Sequence, residues 1–426
     1  PMRARGLTLL LTTCAARRTL PGLVSVAPSA AKSMSSSVVD RLETPALLVD
    51  AEALERNLDL CRESLAAFAG VALRPHAKAH KCGPLGALQV QRMGARGLCC
   101  QTVAEAEVMV EAGVADILIT NQCVTPGKLR RVLALRGHAA EGLTHLGFLV
   151  DSADQVQLLV DALAAEGGAG PSVPISLYVE VDAGQGRCGV APPPASEAVL
   201  ELARAIHAAG EATGGQVSFG GIHCYHGFLQ HVRDPEARAS AVSEGPVRAA
   251  AASRDLLEAH GLSVPVITGG GTGTYLMECR GGVHNEVQPG SFAFMDGDYA
   301  ANVGMPDFTQ SLFVLSTVIS KPSSDRAVCD AGTKAVDQLS GPPEVRGFHR
   351  DPASSVPLSG GVTYKCGGDE HGILLGDGVA TLRVGDLVLL RPSHCDPAVN
   401  LFDQIHLVRD GAVEAVHPIG ARGPGC

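Results

Sequence analysis

At 426 residues the chain is too long for one ordinary domain and suits a large domain joined to a smaller one. Hydrophobic residues make up 46% and charged residues 18%, which supplies a sizeable core and excludes a mainly disordered chain. The formal net charge is −10 and no basic patch lies beyond the N-terminus, which excludes nucleic acid as the expected partner.

The first 39 residues differ from the rest: Arg3, Arg5, Arg17, Arg18 and Lys32, no acid, and a serine cluster at 33–37. That is transit-peptide composition and predicts import into a mitochondrion or plastid; a disordered tail and a secretory signal are the alternatives. No apolar run reaches the roughly 20 residues that span a bilayer, so no membrane partner is expected. Thirteen cysteines are scattered without a spaced framework or a CxxC pair. They read as reduced intracellular thiols rather than disulfides or a ribbon-type zinc site.

From residue 40 to 304, continuous apolar runs alternate with Ala/Leu-rich helical stretches. The runs are Val71–His76, Gly97–Gln101, Asp116–Thr120, His145–Val150, Ile175–Asp182, Gln216–His223, Val264–Thr268 and Val283–Gln288. Helices are expected between them, among others over Val103–Ala112, Asp154–Ala165, Glu197–Ala209 and Ala237–His260. Strands buried on both faces show continuous rather than alternating apolarity. Eight such units predict an α/β fold, a (β/α)8 TIM-like barrel, with a doubly wound open sheet as the alternative. From 305 to 426 short strand-like runs (Ser311–Ser320, Arg326–Asp330, Gly372–Leu375, Leu387–Arg391, Gln404–Arg409) are separated by Gly, Pro and Asp, which predicts a C-terminal all-β domain. Ala46–Asp50 has no barrel slot, and pairing with that domain is the expectation.

Catalytic groups of such barrels sit where strands exit. Strand 1 exits through Arg74-Pro75-His76-Ala77-Lys78-Ala79-His80-Lys81, where a lysine among cations would have the lowered pKa that a Schiff-base amine needs. Strand 5 exits through Asp182-Ala183-Gly184-Gln185-Gly186-Arg187, with Arg187 expected in the mouth. Strand 6 exits through His223-Cys224-Tyr225-His226, two imidazoles suited to ring stacking and to general base work. Strand 7 runs into Gly269-Gly270-Gly271-Thr272-Gly273-Thr274, an anion cradle of backbone N–H groups; a flexible hinge is the alternative. In the β domain His394 and Asp396 are two apart. If they lie on a strand they share a face and one divalent ion, with Cys395 pointing away.

Together these pieces resemble the D-threonine aldolase and D-serine dehydratase group of fold-type III, alanine-racemase-like pyridoxal-phosphate enzymes. The resemblance runs from about Leu42 to about Arg409, and LETPALLVD, RPHAKAHK and SHCDPAVN carry most of it. It implies that Lys78 is the Schiff-base lysine and that Arg187 meets the phenolic oxygen of the cofactor. It places Gly271, Thr272 and Gly273 on the phosphate, His223 by the ring and Gln101 among the cofactor contacts. Gln288 falls where racemases place an arginine on the pyridine nitrogen, which leaves the partner of that nitrogen open.

The dehydratases look like HxC in the late motif, whose thiolate favours zinc. Here the third residue is Asp396, as in the aldolases, so the resemblance implies a divalent ion such as Mn²⁺ or Mg²⁺ on His394 and Asp396. The expected activity is retro-aldol cleavage of D-threonine and similar D-3-hydroxy amino acids to glycine and an aldehyde, with His226 as the base for the hydroxyl proton. The alternatives are a D-serine dehydratase, a non-catalytic pyridoxal-phosphate carrier, and a racemase whose second base would be Tyr364. A homodimer is also implied by the resemblance.

Overall fold

A computed structural model describes residues 39–166, 172–348 and 352–425, so the expected leader lies outside the described residues apart from Val39. The first strand, β1 (Ala46–Asp50), stays out of the barrel. The next eight form one parallel sheet: β2 (Ala72–Leu73), β3 (Leu98–Cys100), β4 (Asp116–Gln122), β5 (His145–Val150), β6 (Ile175–Glu180), β7 (Val217–Cys224), β8 (Ile267–Gly269) and β9 (Glu286–Val287). Each falls within, or overlaps, one of the expected runs.

The sheet order is β2-β9-β8-β7-β6-β5-β4-β3. Its two ends meet through a parallel bridge between His76 and Cys99 and through Arg96 N–H donating to Leu73 O at 2.9 Å. That seam closes the sheet into the expected barrel. Ile117, Leu118 and Ile119 on β4 are all fully buried, which is why the run reads as continuous apolarity.

The long helix expected over Ala237–His260 is two helices, Pro235–Val242 and Arg248–Ala259, joined by a π turn over Ser243–Val247. Pro246 lies inside that turn; it has no N–H to give and its ring displaces the preceding carbonyl, which widens the ladder there.

The β domain contains β10 (Leu312–Ser320), β11 (Arg326–Cys329), β12 (Glu344–Gly347), β13 (Thr363–Cys366), β14 (Gly372–Leu375), β15 (Leu387–Arg391), β16 (Gln404–Arg409) and β17 (Ala412–Pro418). The sheet runs β11-β14-β13-β12-β15-β10-β1-β16-β17, and β10 also pairs with β11, so six strands close on themselves. β1 lies antiparallel to β10 and parallel to β16. One hydrophobic cluster contains Leu54 and Leu58 from the first helix, Phe292 and Phe294 from the segment after β9, and Val314, Leu390 and Ile405 from the β domain. Barrel and β domain therefore share a core, which fixes the β domain at the barrel's C-terminal rim.

Candidate active site

The basic block after β2 divides by what each side chain touches. Arg74 is fully buried; its Nε donates to Glu286 at 2.9 Å and its Nη1 to Asp116 at 2.6 Å, inside the barrel. His80 bonds Gln89 at 3.1 Å through Nε2, and its Nδ1 accepts the Cys82 N–H at 3.1 Å. Both are structural. His76 Nδ1 accepts the Lys78 N–H at 3.3 Å, capping the short turn Ala77–Ala79 that presents Lys78. Lys81, at φ +51°, donates to Lys78 O at 2.7 Å and to Asp396 O at 2.9 Å.

Lys78 opens on a cavity also lined by Gln101, Arg187, His223, Gly271, Thr272 and Gln288. The amine and the glycine turn thus share one space. The expectation of a lowered lysine pKa does not hold. Burial pushes the ammonium down, but the Asp396 carboxylate and then Tyr225 hold it above the usual lysine range. The neighbouring cations point elsewhere, and the near charge is an acid.

The turn after β8 is held from behind by Gln230, which is almost fully buried. Gln230 Oε1 accepts the Gly273 N–H at 2.9 Å, and a Cβ on Gly271 would stand 2.5 Å from the same oxygen. Gly270 has φ +72°, open to glycine without strain. Thr272 Oγ1 accepts the N–H groups of Gly290 at 3.2 Å and Phe292 at 3.1 Å. The turn is therefore preformed, which argues against a hinge.

The Arg187 guanidinium lies 5.7 Å over the Tyr225 ring and 3.8 Å from Glu180. His223 meets Gln288 Oε1 through Nε2 at 3.3 Å, and Gln288 Nε2 donates to Thr268 at 2.7 Å. An amide oxygen only accepts, so His223 Nε2 carries the proton. Burial, opposed by the Gln288 bond, pushes the His223 pKa down to about 4 and keeps the ring neutral.

His394 and Asp396 do not lie on a strand. His394 precedes the short helix Cys395–Asn400, which corrects the strand geometry expected for HxD. The two side chains meet all the same, with His394 Nε2 at 3.2 Å from Asp396 Oδ2. Cys395 does not point away either: it is buried within a group of possible ligands with Asp296 and His394. Burial, then Asp396 and Asp296, hold its thiol far above the usual range. Asp296 is a residue that sequence reasoning missed. Its Oδ2 accepts His394 Nδ1–H at 2.9 Å and the Cys395 N–H at 2.9 Å, which aims Nε2 at Asp396. Asp396 Oδ1 is buried and has no partner. Burial raises the Asp396 pKa, but Lys78 and His394 outweigh it and hold the carboxyl below its usual value.

Four expected residues do not line the cavity: Gly273, His226 and the His394–Asp396 pair, of which the Asp396 carboxylate is the main charge acting on the Lys78 amine. Gly273 serves through its N–H to Gln230. His226 packs edge-on to Phe228 and beside Gly184 instead of facing Lys78. Tyr364 donates to Ala331 O at 2.8 Å inside the β domain, which removes it as a second base. In their place the cavity gains His76, Thr120, Tyr225, Ser291 and Tyr299. Only His76 and Tyr225 carried a signal, as members of the strand-exit motifs.

The model of the alanine racemase N-terminal domain matches residues 49–298, and that of a putative serine dehydratase domain matches 311–408. A D-threonine aldolase from Arthrobacter sp is 43% identical over 386 residues, spanning 90% of this chain and 93% of that protein. The chain belongs to the D-threonine aldolase and D-serine dehydratase family of fold-type III enzymes. Within this family a 3-hydroxy-D-aspartate aldolase from Paracoccus denitrificans is 37% identical over 392 residues, with 90% and 93% covered. The crystal structure of a D-threonine aldolase from Filomicrobium marinum superposes with TM-score 0.80 at 36% identity, covering 91% of this chain and 98% of that one. A D-threo-3-hydroxyaspartate dehydratase from Delftia sp. HT23 gives 0.77 at 27% identity, covering 91% and 99%.

Proposed function

We propose that this chain is a lyase that cleaves D-threonine and related D-3-hydroxy amino acids to glycine and an aldehyde. The observation that carries the reading is that the Lys78 amine and the glycine turn line one cavity, while the Asp396 carboxylate, paired with His394, is the main charge acting on that amine. The residues fit pyridoxal phosphate. Lys78 supplies a half-buried amine that opens on the cavity, suited to covalent attachment. The turn over Gly271–Thr272 would hold the phosphate, Arg187 and His223 would contact the ring, and the Gln288 amide would be the group available to its nitrogen. When bound, the cofactor supplies an electron sink for the charge left as the Cα–Cβ bond breaks.

His394 Nε2 and Asp396 suit a divalent ion, and the unpartnered Asp396 Oδ1 in a buried place supports that assignment. An N/O pair of donors favours Mn²⁺ or Mg²⁺ over Zn²⁺. The metal's chemistry is to make a bound β-hydroxyl more acidic. Support for aldolase over dehydratase comes from Asp396 in place of a thiolate and from the 43% and 37% identities to aldolases, against 28% to the dehydratase. The test is product analysis from D-threonine: acetaldehyde and glycine, stopped by chelation and restored by Mn²⁺. Ammonia and a 2-oxo acid as main products would move the chain to the dehydratases.

We also infer a homodimer, supported by exposed Phe228, Val303 and Leu339 on the described surface and checked by light scattering. Import into an organelle rests on the acid-free leader and is checked by a fluorescent fusion. No described helix is long and apolar enough to cross a membrane.

A further inference from the structure

Behind the glycine turn stands a carboxyl group that the proposed reaction does not use. Glu278 lies on the helix Tyr275–Gly281, directly after the turn, and is 2% exposed. Its Oε1 accepts the Thr274 hydroxyl at 2.8 Å, and its Oε2 has no hydrogen-bond partner. Thr274 Oγ1 accepts Gln230 Nε2–H at 2.9 Å, and Gln230 Oε1 accepts the Gly273 N–H at 2.9 Å. Glu278 is thus the last member of the chain of hydrogen bonds that shapes the turn. It also abuts the turn directly, since a Cβ on Gly270 would stand 3.2 Å from Glu278 Oε2.

Among the described residues no cation compensates this carboxyl. Arg238 and Glu244 lie on the segments packed against its helix, Glu286 on β9, Cys61 on the first helix, and Cys279 and Arg280 on its own helix. His284 lies beside Gly269. Glu286 is paired with Arg74, Arg238 donates to the Val303 carbonyl at 2.7 Å, and none of these groups bonds Glu278. An ionised Glu278 would be an uncompensated buried charge. It would also sit immediately behind N–H groups that have to face an anion. Burial, opposed only by the Thr274 bond and its own backbone N–H, pushes its pKa up to about 7.

We propose that Glu278 is a positioning residue that supports the phosphate turn as a neutral acid, and that its ionisation weakens the hold on the cofactor phosphate. This rests on the reading that the turn binds that phosphate. The sign follows from linkage: the acid form binds the anion better, so anion binding takes up a proton above the carboxyl's pKa. Affinity is full at lower pH and is lost as pH rises through it.

The probe is pyridoxine 5′-phosphate, which carries the phosphate but no aldehyde and so leaves the covalent chemistry of Lys78 aside. It is titrated calorimetrically into the cofactor-stripped full chain between pH 6 and 9, for wild type and Glu278→Gln. Relative to the variant, the wild-type Kd is expected to rise by about tenfold per pH unit above the carboxyl's pKa. Parallel pH profiles for the two proteins would overturn the proposal. If the variant does not fold, the wild type decides alone. In two buffers of different protonation enthalpy at pH 8, binding should take up about one proton, and no uptake would overturn the idea. A chain that binds neither this probe nor pyridoxal phosphate at pH 6 removes the reading of the turn itself, and the proposal with it.

Discussion

Replacing Asp296 by asparagine tests whether the metal pair is aimed from behind. The carboxylate now accepts three N–H groups: His394 Nδ1 and Cys395 N at Oδ2, both at 2.9 Å, and Tyr299 N at Oδ1, also at 2.9 Å. Asparagine has one acceptor and one donor end. With its oxygen toward His394, its NH₂ faces the Tyr299 N–H; turned round, the NH₂ faces His394 and Cys395. Either way a buried donor is left unsatisfied, which costs about 1–3 kcal/mol. An outer-shell partner of a ligating histidine is worth about 10–100-fold in metal affinity, or about 1.4–2.8 kcal/mol, so the two magnitudes agree. The expected result is therefore a Mn²⁺ Kd raised 10–100-fold, read by competition with a fluorescent chelator. The absorbance band of the bound cofactor should persist, because Lys78 and the glycine turn are untouched. A metal Kd within threefold of wild type would refute the aiming argument, and a lost cofactor band would show that the damage is general.

Lys78→Ala should give a colourless protein without cleavage activity, read by absorbance and product assay. His226→Ala should keep activity within about tenfold of wild type, because an essential general base contributes roughly 10²–10⁴-fold and this imidazole does not line the cavity. Arg74→Met leaves Glu286 only Arg96 at 3.6 Å and Asp116 only His145 at 2.7 Å and Arg96 at 3.5 Å, and should lower stability by up to about 3–5 kcal/mol in urea unfolding, with Glu286→Gln and Asp116→Asn added to the same chain restoring much of it. The same cluster sets an acid limit. Burial raises the Asp116 carboxyl, but His145 and Arg74 together hold it below its ordinary 3.8, so its stabilisation is present above that pH and is lost on acidification below it, as acid unfolding curves of wild type and Asp116→Asn would show.

The barrel was legible because its strands are buried on both faces, so runs such as Asp116–Thr120 carry their own signal. The β domain was less so. Glu344–Gly347 and Thr363–Cys366 are four residues each with charged or polar members, and Ala412–Pro418 is a partly exposed edge strand. They are strands because neighbours pair with them, a fact no local pattern contains. Lys78, Arg187 and the glycine turn were visible because strand exits concentrate chemistry. Asp296 was invisible because its meaning lies in a contact 98 positions away. For HxD the strand period suggested that the two side chains meet, whereas the geometry that brings them together is a helix start, with His394 extended at φ −137° and ψ 128°. A period-two argument and a helix start both bring residues i and i+2 close, so the sequence alone does not separate them.

The two halves of the site come from opposite ends of the chain, and beside the Asp296 bonds to His394 and Cys395 one further side chain ties them together. Lys81 places its ammonium between the carbonyl of Lys78 and that of Asp396, at 2.7 and 2.9 Å, and is itself buried. A cation there is satisfied only while both carbonyls are in place, so any separation of the barrel rim from the β domain would strand it. The shared core under the first helix opposes the same separation with apolar area. The amine side and the metal side are therefore fixed relative to each other before substrate arrives, which is what a small molecule with an α-amino group and a β-hydroxyl on adjacent carbons requires. A non-catalytic carrier needs the amine and the phosphate turn alone. The rigid coupling of a second domain to the lysine is the feature that such a carrier would have no use for.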